Sequence, residues 1–252
     1  MSVDDLFAST AQLVRLNEKC LPTGLASGIA IKYNDECYLL TVGHALVDGI
    51  SLQLNNDERG MACWQLQNGT YLLSSSQCRA VSNGLPIEKS WNLNDPTIVD
   101  AALFKLPQEC RPIRYIVTQG VGESCETVTL FDIPKAFPKI NGECSFCGMI
   151  DPQPPNLNEP YGTDYRFYFY QKGAAYGSVC HTEDKGFYRY FEVRNIDGLD
   201  KLVNFQGCSG APLIDETGNL VAMVCGIDLG NRVLKALDIG TIFPILSMTL
   251  VK

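Results

Sequence analysis

The apolar runs of this chain are short, and turns carrying glycine, asparagine or proline punctuate them. Residues 28–33 run apolar into Asn34-Asp35, and residues 36–42 return from it, which predicts a hairpin. Strand patterns follow at 51–54, 63–66 and 71–73, and the strongest of this half spans 98–106, stopped by Pro107. Further runs lie at 127–131 and 143–150. Residues 151–162 carry four prolines and predict an extended loop. A hairpin dense in aromatic residues is expected from arms at 165–170 and 187–193, and more strands at 220–224 and 234–246. Helical patterning is confined to residues 3–19, where Leu6, Phe7, Leu13 and Leu16 share one side, and to the last turns of the chain. A chain of this kind is all-β, a barrel or a sandwich. The glycine-bearing connection at 118–122 divides it. The expected organisation is a helical segment over 1–24, a first barrel over 25–120 and a second over 121–252.

Charge narrows the partners. The chain has 20 Lys and Arg against 28 Asp and Glu, a net of −8, and no basic block. Phosphate backbones need a basic face, so no nucleic-acid partner is expected. No stretch reaches the length of a membrane span, and the acidic start, Met1-Ser2-Val3-Asp4-Asp5, leads into no apolar signal core. The expected location is cytoplasmic, where the eleven cysteines stay reduced and act as small buried hydrophobes. Cys144-Ser145-Phe146-Cys147 is a CxxC with no second pair to complete a zinc site. Cys125, Cys180 and His181 are the only further candidates, and positions three apart on a strand face opposite sides. No metal and no cofactor is expected.

Three features carry chemistry. In Gly207-Cys208-Ser209-Gly210-Ala211-Pro212-Leu213, glycines bracket a Cys-Ser pair. A nucleophile on such a tight turn is pushed outward while the backbone N–H groups around it converge. His44, one of only two histidines, directly follows an apolar strand, where a general base is within reach of a substrate. Asp100 lies inside an apolar run. A carboxylate there must be hydrogen-bonded or paired, and a histidine N–H is a natural partner.

The three blocks together resemble a known family. Thr41-Val42-Gly43-His44-Ala45 resembles the Thr-Ala-x-His block of chymotrypsin-like serine proteases. Asp100-Ala101-Ala102-Leu103 resembles their Asp-Ile-Ala-Leu block, and the Gly207 to Leu213 turn their Gly-Asp-Ser-Gly-Gly-Pro-Leu block. The order is the family's. The resemblance implies two six-stranded antiparallel β-barrels preceded here by a short N-terminal helix. It implies His44 as base, Asp100 as its orienter, Ser209 as nucleophile, and the N–H groups of Gly207 and Ser209 as oxyanion hole. Val224-Cys225-Gly226 is similar to the segment that pairs with an extended substrate, and Gly240-Thr241-Ile242-Phe243-Pro244 to the HtrA-type segment beside the specificity pocket.

The departures also inform. Cys208 stands where zymogen-type members carry the aspartate that pairs with a new N-terminus, so activity is constitutive or set by a regulatory partner or loop. Val203 stands where trypsin-like specificity would place an aspartate. Viral relatives use cysteine on this fold, which makes Cys208 a rival nucleophile, but counting back from Gly210-Ala211 selects Ser209. Asp238 favours a basic substrate side chain if it points inward, and is otherwise an exposed turn residue. His181, expected in the loop of the aromatic hairpin, is a surface residue or a reader of acidic or polar substrate side chains. The expected function is a serine endopeptidase acting on protein or peptide substrates. The alternatives are a catalytically silent protease-like binding module and a cysteine peptidase.

Overall fold

A computed structural model describes residues 3–16, 22–46, 61–66, 69–73, 78–81, 97, 99–106, 113–118, 122–132, 140, 142–150, 173–197, 207–228 and 230–241. The expected strand at 51–54, the loop at 151–162, the aromatic arm at 165–170 and Val203 lie outside these residues. The elements in chain order are a helix α1 (Val3–Ala8), β1 (Ala11–Leu16), β2 (Pro22–Tyr33), β3 (Glu36–Thr41) and a 3-10 turn (Gly43–Leu46). Next come β4 (Met61–Leu66), β5 (Gly69–Leu73), β6 (Cys78–Val81), β7 (Ala101–Lys105), β8 (Ile113–Thr118), β9 (Gly122–Thr127) and β10 (Phe131–Asp132). Then follow β11 (Glu143–Ile150), β12 (Gly173–Lys185), β13 (Tyr188–Asp197), β14 (Pro212–Asp215), β15 (Leu220–Asp228) and β16 (Val233–Asp238).

The β2–β3 hairpin forms as its sequence dictates. Asn34 and Asp35 both take positive φ, 49° and 62°, the backbone a two-residue turn needs to match the twist of its strands. Asn and Asp tolerate that conformation better than other side chains. The helix is shorter than the pattern over 3–19 predicts. It stops at Ala8, the Ser9 hydroxyl donates back to the Leu6 carbonyl (2.6 Å), and residues 11–16 extend as β1 between β2 and β4. Six residues are too few for a self-supporting helix, and Ala11 and Leu13 gain more by burial in the sheet. Thr10 ties this segment to the second half by donating to the Cys147 carbonyl on β11.

The second half closes into a six-stranded antiparallel barrel, ordered β11-β12-β13-β16-β15-β14. The first half is an eight-stranded sheet, β5-β4-β1-β2-β3-β7-β6, with β10 pairing parallel to β2. Of the two barrels expected, the described residues close one; β5 and β6 end the path of the other sheet without pairing to each other. The hairpin that carries Tyr188–Asp197 is built with residues 173–185, not with the 165–170 run. Among the described residues no helix is long and apolar enough to cross a membrane.

Alternation along the strands sorts the core into three clusters. Cys144, Phe146, Val179, Phe191, Leu213, Ala222, Val224, Leu234 and Ala236 fill the barrel. Leu13, Ala30, Leu39, Ala102 and Phe104 fill the inner side of the sheet. The intervening positions meet between the halves, where Ile29, Ile31, Leu40, Val42 and Leu103 pack on Cys147, Tyr188, Met223, Cys225 and Leu237. Each half therefore contributes one face of its strands to a shared apolar interface, and the candidate site lies along it.

Candidate active site

His44 opens from the end of β3 on the 3-10 turn, and Asp100 directly precedes β7, which pairs with β3. That pairing brings the two together. Asp100 is 2 % exposed, and a carboxylate buried so deeply needs donors. One residue supplies both: the His44 backbone N–H donates to Asp100 Oδ1 (2.9 Å), and His44 Nδ1 lies 2.6 Å from Oδ2. A carboxylate only accepts, so Nδ1 carries the proton and the lone pair of the neutral ring sits on Nε2. From behind, the buried Tyr188 reaches the Asp100 backbone with its hydroxyl, and burial pushes that phenol well above its ordinary range.

The turn carrying Ser209 is held by the first sheet. Gly207 and Gly210 take φ of 109° and 93°, the left-handed region that favours glycine. The Ser27 N–H on β2 donates to the Ser209 carbonyl (2.9 Å), and the Ser27 hydroxyl donates to the Gly207 carbonyl (2.7 Å). Thr41, three residues before His44 at the end of β3, donates its hydroxyl to the Ser27 carbonyl (2.7 Å). Ser27 and Thr41 are fully buried, so these bonds have no competing water. They link the strand end that bears His44 to the turn that bears Ser209. In the sequence Thr41 stands out only as part of a block, and Ser27 carries no signal of its own.

From the barrel side, the Gly210 N–H donates to the Val224 carbonyl and the Val224 N–H to the Ala211 carbonyl, both at 2.8 Å. A bulge between Val224 and Gly226 re-aims Cys225, and its carbonyl accepts the Ser209 hydroxyl at 3.2 Å. Among the described residues this is the one hydrogen bond of that hydroxyl; none joins it to His44. The N–H groups of Gly207 and Ser209 donate to no described protein acceptor.

Cys208 points the other way. It is 1 % exposed and packs in the barrel core, and burial pushes its thiol well above the ordinary value. Its neighbour is Gly148, where an added Cβ would lie 2.7 Å from the Cys208 sulfur and 2.8 Å from its backbone. Gly148→Ala is therefore expected to destabilise the fold by about 2–3 kcal/mol, the scale of an overpacked core. Urea denaturation measures it, and Cys208→Ala does not restore the loss because the clash with the backbone at position 208 persists. The two cysteines of the CxxC separate as strand alternation requires, Cys144 into the barrel core and Cys147 into the interface between the halves.

Asp238 is neither an exposed turn residue nor directed at the site. Alternation on β16 turns it away from Leu237, toward the face of Ala236 and Leu234. It pairs with Arg189 (3.1 Å) and accepts from the Gly240 N–H (3.1 Å) and the Thr241 hydroxyl (2.5 Å), capping the short helical turn that follows. Gly240 belongs to that turn. His181 lies on β12 rather than in a loop, 2.8 Å from Asp184 and edge-on to Phe191. Val224 is buried in the barrel core, whereas a Cβ on Gly226 would meet no described atom within 4 Å.

A closed antiparallel barrel joined to a second sheet along a shared apolar face, with His44 and Asp100 on one half and the Ser209 turn on the other, is the layout of the chymotrypsin-like fold. No family model and no curated protein matches the sequence. Among solved structures, the chain is similar to a cysteine-to-alanine mutant of tobacco etch virus protease, with a TM-score of 0.50 and 12% identity over 98% of this chain and 80% of that one. It is similar also to the serine endoprotease from Yersinia pestis, with a TM-score of 0.51 and 15% identity over 100% of this chain and 68% of that one. At such identities the likeness establishes the fold.

Proposed function

We propose that this chain is a serine endopeptidase in which Ser209 is the nucleophile, His44 the general base and Asp100 the group that orients His44. The observation that carries the reading is the double hydrogen bond from His44 to the buried Asp100, which leaves Nε2 as the only ring position able to accept a proton. The reaction requires the Ser209 hydroxyl to exchange its one long hydrogen bond, to the Cys225 carbonyl, for that nitrogen, and such contacts tighten when substrate binds. The hydroxyl then attacks a peptide carbonyl, the oxyanion faces the N–H groups of Gly207 and Ser209, and His44 passes the proton to the leaving amine. Water hydrolyses the acyl-enzyme by the same route in reverse.

Burial of Cys208 supports serine over cysteine, since a thiol 1 % exposed and held protonated by its surroundings is a poor nucleophile. Labelling with a simple alkyl fluorophosphonate tests the reading. The folded chain is expected to take the label on Ser209, to lose it in Ser209→Ala and to keep it in Cys208→Ala. A properly folded chain that never takes the label is instead a silent binding module. Label that survives Ser209→Ala and disappears in Cys208→Ala identifies a cysteine enzyme.

A further inference from the structure

Ser27 is fully buried on β2 and reaches the Ser209 turn twice. Its hydroxyl donates to the Gly207 carbonyl (2.7 Å), and its N–H donates to the Ser209 carbonyl (2.9 Å). The carbonyl between these two, that of Cys208, accepts from the Ala211 N–H (3.0 Å). Three successive carbonyls of the turn are therefore held, two of them by one residue from the other half of the molecule. Ser27 is itself fixed, because its carbonyl accepts from the Thr41 hydroxyl (2.7 Å).

Each held carbonyl also aims the N–H that follows it. A trans peptide unit points its C=O and the next N–H in opposite directions. The last of the three units shows this directly: the Ser209 carbonyl faces Ser27, and the Gly210 N–H faces the Val224 carbonyl (2.8 Å). By the same rule, the Ala211 bond to the Cys208 carbonyl aims the Ser209 N–H. The Ser27 hydroxyl likewise turns the Cys208 N–H, rather than the Gly207 oxygen, to the side away from β2. The Gly207–Cys208 unit is the one most in need of such a hold. Gly207 has no side chain and takes φ of 109°, so its own backbone restrains it least. Cys208 anchors the far end of the unit, with its side chain in the barrel core against Gly148. At the near end the hold comes from the Ser27 hydroxyl, in a place with no competing water.

We propose that Ser27 is a positioning residue for the oxyanion hole: its hydroxyl holds the Gly207–Cys208 peptide unit so that the turn presents N–H groups, and no carbonyl oxygen, where negative charge develops. The inference rests on the peptidase reading and deepens it. Without the hydroxyl the unit is free to turn over, and a carbonyl oxygen beside the oxyanion opposes the charge that the N–H groups stabilise. The same bond bears on regulation. A turn held by buried bonds of the chain itself takes its working shape without a partner, so the folded chain is competent as it stands.

The test is Ser27→Ala, assayed with the best substrate of a peptide library and with the aldehyde and alcohol analogues of that peptide. When Ser209 Oγ bonds to the aldehyde carbon, the carbonyl π pair moves to oxygen and the Ser209 proton passes to His44 Nε2. The bound aldehyde therefore fills the oxyanion hole, whereas the alcohol binds without it. The readout is the ratio of the two inhibition constants. Because it compares two ligands on one protein, any loss of folded enzyme cancels. Ser27→Ala is expected to lower this ratio, and kcat per titrated site, by about 10- to 100-fold, less than for a deleted donor because both donors remain in the chain. KM changes by less than about threefold. The pH at which activity rises does not move, since the His44–Asp100 pair is untouched. Phe104→Leu, a truncation in the buried core of the first sheet, controls for a loosened fold: its urea midpoint falls and its ratio keeps the wild-type value. If Ser27→Ala does not fold, Ser27→Cys, close in size and only a weak donor, replaces it with the same expected direction. The wild-type chain alone is expected to take the fluorophosphonate in a single phase with no lag. A ratio unchanged in the Ser27 variant, an equal fall in Phe104→Leu, a shifted pH profile or a lag in wild-type labelling overturns this inference and leaves the peptidase reading standing. Absence of label and of cleavage in the wild type overturns both.

Discussion

Asp100→Asn is expected to slow peptide hydrolysis by about 10⁴-fold with little change in KM, the scale seen when a triad carboxylate becomes an amide. The geometry gives the reason. Both Asp100 oxygens accept from His44, one from the backbone N–H and one from Nδ1. An asparagine has one oxygen and one NH₂ for these two places. Facing the NH₂ to the backbone N–H would set donor against donor, so the oxygen goes there and the NH₂ faces the ring. Nδ1 must then accept, the ring proton moves to Nε2, and His44 can no longer take the Ser209 proton. The fold is retained because shape and one hydrogen bond are. Steady-state kinetics on the best library peptide, together with the rate of fluorophosphonate labelling, measures the effect. A loss smaller than tenfold would mean that the pair has no part in the chemistry.

Gly210→Ala is expected to cost more than about 4 kcal/mol and to abolish activity, an effect beyond the usual range of point substitutions. The position has φ of 93°, where an L side chain is strained by roughly 1–2 kcal/mol. The steric clash is worse than the strain. An added Cβ would lie 1.9 Å from the Ser27 carbonyl oxygen and 2.6 Å from Thr41 Oγ1. The first of these is backbone of a central strand and cannot rotate away. The turn must lift off β2, giving up the bonds from Ser27 to Ser209 and Gly207 and from Gly210 to Val224. Gly226→Ala is the stability control: its Cβ meets no described atom within 4 Å, and its cost should stay near the roughly 0.5 kcal/mol of an ordinary surface substitution. Urea midpoints of the two variants decide it; equal midpoints would show that the turn is not clamped as described.

Asp100 and Gly210 act through residues of very different sequence range, and that difference sets what is legible without coordinates. The β2–β3 hairpin is legible because its turn chemistry, Asn34-Asp35, is local. So are β7 with Asp100 at its start and the glycine turn around Ser209, each a property of a few adjacent residues. The helix expected over 3–19 fails past Ala8, since Ala11 and Leu13 fit an amphipathic helix as well as a strand until β2 and β4 are placed on either side. In the aromatic hairpin, composition points to 165–170 as the partner arm, while register gives that place to residues 173–185. Asp238 reads equally well as inward or exposed, and the partner that fixes it, Arg189, is distant in the chain.

Local backbone chemistry is enough for the class of fold and for the three residues proposed for acyl transfer, whereas the preference for Ser209 over Cys208 rests on a resemblance, its place before Gly210-Ala211. It shows in the sequence as period-two alternation, glycine where the turn needs positive φ, and a carboxylate in an apolar run. Only the folded chain reveals that His44 meets Asp100 with both of its donors, that Ser27 and Thr41 join the strand that leads to His44 to the turn that bears Ser209, and that Cys208 is sealed against Gly148. Each of these joins residues far apart in the chain. Such encounters exist only once two sheets have buried their alternate faces against each other, and no local pattern records which atoms that burial brings together.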